Sequence, residues 1–216
     1  MLEQQSTRPS NGVNLLALFF LGALVAAAAE LPYGGWIQIP ILSLIWWRMG
    51  QIILPIKKQF ISGMAFGLGY FALGLWWIYI SLHDVGGMHA FISCLAVFIL
   101  AAGMALFFSS ASLFLCLPRR RYLTGLALAA SWVLIEYLRN VVLTGFPWMG
   151  FAEAQINGPF APVAPFFGGL ACTFLVVWIS WEITQLRKNI VFSSTCIISI
   201  PIPRVRNNRP TPIVGI

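Results

Sequence analysis

Residues 90–117 read AFISCLAVFILAAGMALFFSSASLFLCL, from Ala90 to Leu117, without one Asp, Glu, Lys, Arg or His. A helix needs about 20 mostly apolar residues to cross a hydrocarbon core roughly 30 Å thick, and this stretch exceeds that. It closes on Pro118-Arg119-Arg120-Arg121, a stop of proline and positive charge. Working outward, segments of the same character recur. The pattern predicts helix one over about Asn14–Ala29, helix two over Trp36–Trp47, helix three over Phe60–Ile80 and helix five over Tyr122–Leu138. Helix six is expected over Phe166–Ile183, and the shorter apolar run Ile190–Ile202 is a candidate seventh. Glu30 to Gly35 is a tight turn, since proline and paired glycines end helices. Pro40 makes helix two short, kinked or partly interfacial.

Composition agrees. Of 216 residues, 59% are hydrophobic and 9% charged, against about 25% charged in a soluble domain; mean hydropathy is +0.86. Too few ionisable groups remain to cover a water-facing sphere. The fold class is therefore all-α: a polytopic transmembrane helix bundle of six or seven spans. The net charge of +7 would suit nucleic acid, but its distribution speaks against that partner. The basic residues cluster in short loops between apolar runs, where they set membrane topology. With seven spans and a cytoplasmic N-terminus, Arg8, Arg48, Lys57, Lys58, Arg119, Arg120, Arg121, Arg187 and Lys188 fall inside. Arg139, Arg204, Arg206 and Arg209 fall outside. Residues 1–13 then form a cytoplasmic tail. Ala27-Ala28-Ala29 imitates a signal-peptide cleavage site, but with so many later spans a retained first helix is the better reading.

Cys94, Cys116, Cys172 and Cys196 all lie in apolar stretches without metal-ligand spacing, and read as small buried hydrophobes. His83 and His89 are the only histidines, so no metal and no cofactor are expected. Gly63, Gly67, Gly69 and Gly74 in helix three predict close packing against a neighbour.

Three clusters carry polar chemistry. Trp76, Trp77 and Tyr79 end helix three ahead of His83-Asp84; the aromatics suit a membrane–water interface, and the pair could act as a base with its orienting partner. Glu136 and Arg139 stand at i and i+3, on one face of helix five, where they can neutralise each other. Third, Leu143-Thr144-Gly145-Phe146-Pro147-Trp148-Met149-Gly150 leads to Gln155, Asn157, Gly158 and Pro159. Such a segment must be buried in protein, line a cavity or rest at headgroup level, because bare lipid would leave its backbone unsatisfied.

The order of these last two clusters resembles a known family. Trp132…Glu136-Tyr137-Leu138-Arg139…Thr144-Gly145-Phe146-Pro147-Trp148, then Gln155…Gly158-Pro159…Ala164-Pro165, is similar to the membrane domain of bacterial apolipoprotein N-acyltransferases. Helix three, with Gly67, Gly69 and Gly74 leading into Trp77 to Ser81 and Gly86-Gly87, and the turn at Pro32-Tyr33 fit the same pattern. The resemblance covers about Leu15 to Pro203. It implies an inner-membrane enzyme of lipoprotein maturation that moves an acyl chain from a phospholipid to the N-terminal amine of a diacylglyceryl-cysteine. In the family a cysteine, a glutamate and a lysine do this in a nitrilase-like domain inserted after the seventh span. That region has no counterpart among these residues, so no catalytic residue is carried over. The chain is expected to be the membrane domain (residues 14–203), inactive alone, with residues 204–216 a non-homologous, truncated or frameshifted tail. Alternatives are the membrane subunit of a split acyltransferase, or a small transport or scaffold protein. Phe151 to Gln155 departs from the family's Gly-Tyr-Ser-Gln. The expected rim of a lipid-accessible cavity is Trp77, Tyr79, Glu136, Arg139, Phe146, Pro147 and Trp148. Expected partners are phospholipid, with an apolipoprotein substrate or a separate nitrilase-like chain.

Overall fold

The structure, a computed structural model, describes residues 14–50, 54–116, 121–142 and 145–198. Side chains are described to Leu186, apart from those of residues 121 and 122. The N-terminal tail, the stop at Pro118–Arg120, Leu143-Thr144, the last residues of the candidate seventh span and the C-terminal tail lie outside these. The chain divides into two compact units, Met1–Thr184 and Gln185–Ile216.

All regular structure among the described residues is helical. Helix α1 is Leu15–Ala29, begun by Asn14, whose side chain accepts from the Ala17 N–H at 3.1 Å. Helix α2 is Gly34–Gly50 and keeps Pro40 inside it. It starts two residues before the expected point, since Gly34 and Gly35 form its first turn instead of ending a loop. Helix α3 is Ile56–Gly74 and α4 is Trp76–Ile80. The sequence predicts one helix here, but the axis bends by 48° at Gly74-Leu75. A π-helical turn, Ser81–Val85, follows. Helix α5 is Ala90–Ser112, prolonged by a 3-10 turn over Leu113–Cys116. Helix α6 is Arg121–Val141. Helix α7 is Ala164–Ile198, broken at Gly168, where φ is 78°. Its backbone runs through Arg187-Lys188-Asn189, where a loop between two spans was expected; none of these residues breaks a helix.

Two of these helical stretches, Ala90–Cys116 and Ala161–Leu186, are long and apolar enough to cross a membrane, and a third if the bent α3–α4 pair is one span. On α5, Phe91, Leu95, Phe98, Ile99 and Leu106 are exposed. Such an apolar outer face suits lipid, which asks only that backbone groups be satisfied internally. Cys94 lies on that exposed face, not in the interior as expected, while Cys116 is half-buried and Cys172 buried.

Helix α3 is the middle of the first unit, packing against α1 and α5. Gly22 and Gly69 bring α1 and α3 into backbone contact: a methyl group on Gly69 would run into the Phe19 carbonyl. On its other side, Gly63 and Gly67 leave 2.7 and 2.9 Å between an added Cβ and the Cα atoms of Ser109 and Ala105. Small residues substitute here for a hydrophobic force that lipid does not supply. Ser109 Oγ also donates to the Phe60 carbonyl at 2.5 Å. The core is aromatic. Phe108 meets Trp132 at 4.6 Å, Phe71 at 4.8 Å and Tyr70 at 5.3 Å between centroids.

Candidate functional site

The chain gathers its irregular backbone at one end of the bundle. The ends of α1 and α3, the starts of α2, α5 and α7, and the C-terminal turn of α6 meet there. The loop from Gly145 to Val163 closes that end over α6.

The loop begins where α6 leaves carbonyls without intrahelical partners. Gly145 takes a left-handed φ of 84°, and its N–H donates to Val142 at 2.9 Å; the Phe146 N–H turns back to the Arg139 carbonyl at 3.0 Å. The chain then dives inward. Met149 and Gly150 are buried, and Phe151 is fully enclosed, stacked on Trp132 at 5.3 Å and edge-on to Phe108 and Tyr70 at 5.5 and 5.6 Å. Buried Gln155 donates to the Gly35 carbonyl at 3.2 Å and to Gln38 Oε1 at 3.1 Å, pinning the loop to α2. Of the possible placements for this segment, burial in protein holds for Met149 to Phe151 and for Ala154 and Gln155, while Glu153, Ile156 and Asn157 are exposed.

Beneath the loop lie Glu136 and Arg139, 7% and 2% exposed. They share a helix face, as their spacing predicts, but make no ion pair within 4.0 Å. The guanidinium instead donates from Nη1 to the Met149 carbonyl at 3.4 Å and lies 5.6 Å from the Phe71 ring centroid. Glu136 Oε1 accepts from Thr173 on α7 at 3.4 Å. Their mutual attraction therefore acts without direct contact. Tyr70 on α3 also donates to the Met149 carbonyl, at 3.2 Å. A methyl group added at Gly150 would stand 2.6 Å from Glu136 Oε1, so the loop passes directly over this carboxylate.

Glu153 adds a second carboxylate, accepting from the Gly150 N–H at 3.0 Å. The residue as a whole is exposed, yet the protein crowding its carboxyl pushes its pKa above the ordinary value. The Gly150 and Met149 N–H groups and Arg139 pull it back down, and Glu30 pushes it up.

The remaining expected residues stand outside this buried group. Trp77 and Trp148 are each about half exposed, 6.3 Å apart between centroids, and Phe146 meets Trp148 at 5.0 Å. Pro147 is exposed between them. Tyr79 is half-buried, stacked on Trp76 at 4.7 Å. Trp77, Phe146 and Trp148 thus form one aromatic group, whereas Tyr79 meets Trp76 and His83 instead, and Arg139 and Glu136 meet the next residues of the loop, Met149 and Gly150. Two clefts flank the loop elsewhere. One, of about 340 Å³, lies between Glu30, Pro32, Glu153 and Asn157; the other, of about 250 Å³, between Ala152, Gln155, Pro165 and Cys172. None of the seven expected residues lines either.

In the His83-Asp84 pair the backbone orients the ring: Nδ1 is 2.7 Å from the Met88 carbonyl, while Nε2 stands 4.0 Å from the Asp84 carboxylate. Among the described residues no His, Cys, Asp and Glu group could hold a metal ion. Nothing in the sequence singles out Tyr70 or Thr173, and Met149 and Phe151 stand in it only as members of the loop's quoted stretches. Each is an ordinary core residue type, and only the inward turn of the loop gives it a polar or stacking role.

Fold and site together define a class: an all-helical membrane protein in which one structured, aromatic-tipped loop caps a buried guanidinium and carboxylate. Residues 21–181 match the model of the apolipoprotein N-acyltransferase N-terminal domain, and the chain belongs to that family. It is 35% identical over 184 residues to an apolipoprotein N-acyltransferase of Haemophilus ducreyi, covering 84% of this chain. To those of Pasteurella multocida and Shewanella oneidensis it is 38% and 33% identical, over 60% and 82% of the chain. The chain spans 35%, 25% and 35% of the lengths of these three relatives.

Proposed function

We propose that these helices are the membrane platform of an apolipoprotein N-acyltransferase of the bacterial inner membrane. The platform holds a phospholipid at its loop-bearing end while an acyl chain is transferred to the N-terminal amine of a diacylglyceryl-cysteine. The observation that carries this reading is the Phe146-Pro147-Trp148 wedge, in which Pro147 and Trp148 are exposed while Phe146 packs partly against the core. The wedge faces outward next to Trp77, while the residues just after it are locked into the core. Aromatic rings with one apolar and one polar edge suit the headgroup boundary, and proline stiffens the backbone that presents them. A rigid aromatic edge loses little entropy when an acyl chain packs on it.

The part assigned to these residues is binding and orientation. Covalent transfer needs a nucleophile next to an activating base. Among the described cysteines, Cys116 and Cys172 instead approach the backbone carbonyls of Leu54 and Phe160, each at 3.5 Å. The phospholipid, the apolipoprotein and a nitrilase-like catalytic module, in the same or a separate chain, are the partners this reading requires.

Photo-crosslinking tests it. A benzophenone amino acid is placed at Trp148 or at exposed Lys57, near the start of α3 and about 26 Å along that helix from its far end. Purified protein is irradiated in phospholipid vesicles. Lipid adducts should form in clear excess at position 148; equal labelling at the two positions refutes the platform.

A further inference from the structure

We propose that Met149 is a positioning residue that ties the heading of the Phe146-Pro147-Trp148 wedge to the bend between α3 and α4, with Gly74 as its seat. Met149 is the one non-glycine residue with positive φ (64°) among the described residues. A left-handed conformation is unfavourable for a side chain of this size and persists only where the surroundings over-determine it. Both ends of the residue supply that determination. Its carbonyl accepts from Tyr70 on α3 and from Arg139 on α6. Its side chain crosses to the last residue of α3, where a Cβ on Gly74 would meet the Met149 Cε and stand 2.7 Å from its Sδ. Gly74 is followed by Leu75 and then α4, turned by 48° and carrying Trp77. One residue therefore touches both supports of the aromatic group: the loop that presents Trp148, and the bend that presents Trp77.

Neither support fixes the gap between Trp77 and Trp148 alone. The bend lacks a proline, and of α4 only Ile78 and Tyr79 pack partly against the core; in the wedge Phe146 does the same, while Pro147 and Trp148 are exposed. The thioether filling the notch at Gly74 is the contact that sets the one against the other. Methionine suits this because three rotatable bonds let it fill an irregular space without splitting it. The proposal rests on the platform reading only for the lipid that meets this gap; the geometry is read without lipid.

A benzophenone at position 148 reports the gap directly, through its intramolecular adduct to the α4 peptide, mapped by mass spectrometry in detergent. Gly74→Ala pushes the methionine tip out of its seat and should lose most of that adduct. Gly103→Ala, where an added Cβ meets nothing within 4 Å, should lose none. Met149→Ala empties the notch without adding bulk, and should also lose most of the adduct while elution and circular dichroism stay those of the parent. Joining it to Gly74→Ala lets one methyl refill part of the notch, and should recover adduct relative to either single variant. If Gly74→Ala does not fold, Met149→Ala carries the test. Yields in Met149→Ala equal to the parent, or a loss in Gly103→Ala as large as in Gly74→Ala, overturn the proposal. Lipid labelling that fails while this pattern holds refutes the platform and leaves the positioning role standing.

Discussion

Replacing Phe151 with alanine should loosen the loop from the bundle. The ring is fully buried and meets Trp132 face to face and Phe108 and Tyr70 edge-on. Phe→Ala in a soluble core costs about 3–5 kcal/mol, partly from lost burial and partly from the cavity. Here a freed loop would rest at the lipid headgroups and keep some apolar surroundings, which lowers the burial part. Three ring pairs at about 0.5–1.5 kcal/mol each oppose that reduction, though they share one cluster and do not simply add. The expected cost is about 2–4 kcal/mol, and about 1 kcal/mol for Phe151→Leu, which keeps most of the volume. Reversible unfolding in mixed micelles, followed by circular dichroism, measures it. Limited proteolysis between residues 145 and 163 should quicken in parallel. A cost of Phe151→Ala below about 0.5 kcal/mol, or unchanged cleavage, would mean that the ring does not hold the loop.

Two further outcomes are expected. Gly69→Ala sets a methyl against the Phe19 backbone and should destabilise by about 1–3 kcal/mol, whereas Gly103→Ala should be neutral or gain up to about 1 kcal/mol from helix propensity; the same unfolding assay separates them, and equal effects would refute backbone contact between α1 and α3. Glu153 has its native pKa raised above the ordinary 4.5, chiefly by burial, so its contribution favours the fold below that value and is lost as pH rises through the raised one. The parent should therefore lose stability relative to Glu153→Gln as pH climbs from about 4.5 towards neutrality, and parallel pH profiles for the two would show that the loop does not crowd this carboxyl.

Much of the helical frame was legible because unbroken apolar length is a one-dimensional signal. The start of α5 at Ala90 and of α1 just after Asn14 needed only that. Glycine was harder to read. Gly34 and Gly35 look like breakers, yet they form the first turn of α2, and Gly35 serves a close approach there: an added Cβ would stand 2.6 Å from the Ala154 carbonyl. The loop's motif pointed to the family, while its path did not follow from it. Nothing local says that Phe151 turns inward and Trp148 outward; Trp132, Phe108 and Tyr70, remote in sequence, decide it. Likewise the spacing of Glu136 and Arg139 placed them on one face, but their partners come from Met149 and Thr173, which spacing on α6 cannot reveal.

The glycines on two sides of α3 also bear on how this protein meets membranes of unequal thickness. A transmembrane rod normally answers a thinner or thicker bilayer by tilting. Helix α3 meets α1 through backbone on one side and α5 on the other, so it cannot tilt without dragging both neighbours. The compliance is left to what lies beyond Gly74: the short α4 and the π-helical turn, whose side chains are exposed or only partly buried. Thickness would then be felt first where Trp77 stands, and the same bundle could keep its shape while its aromatic edge rides up or down with the headgroups.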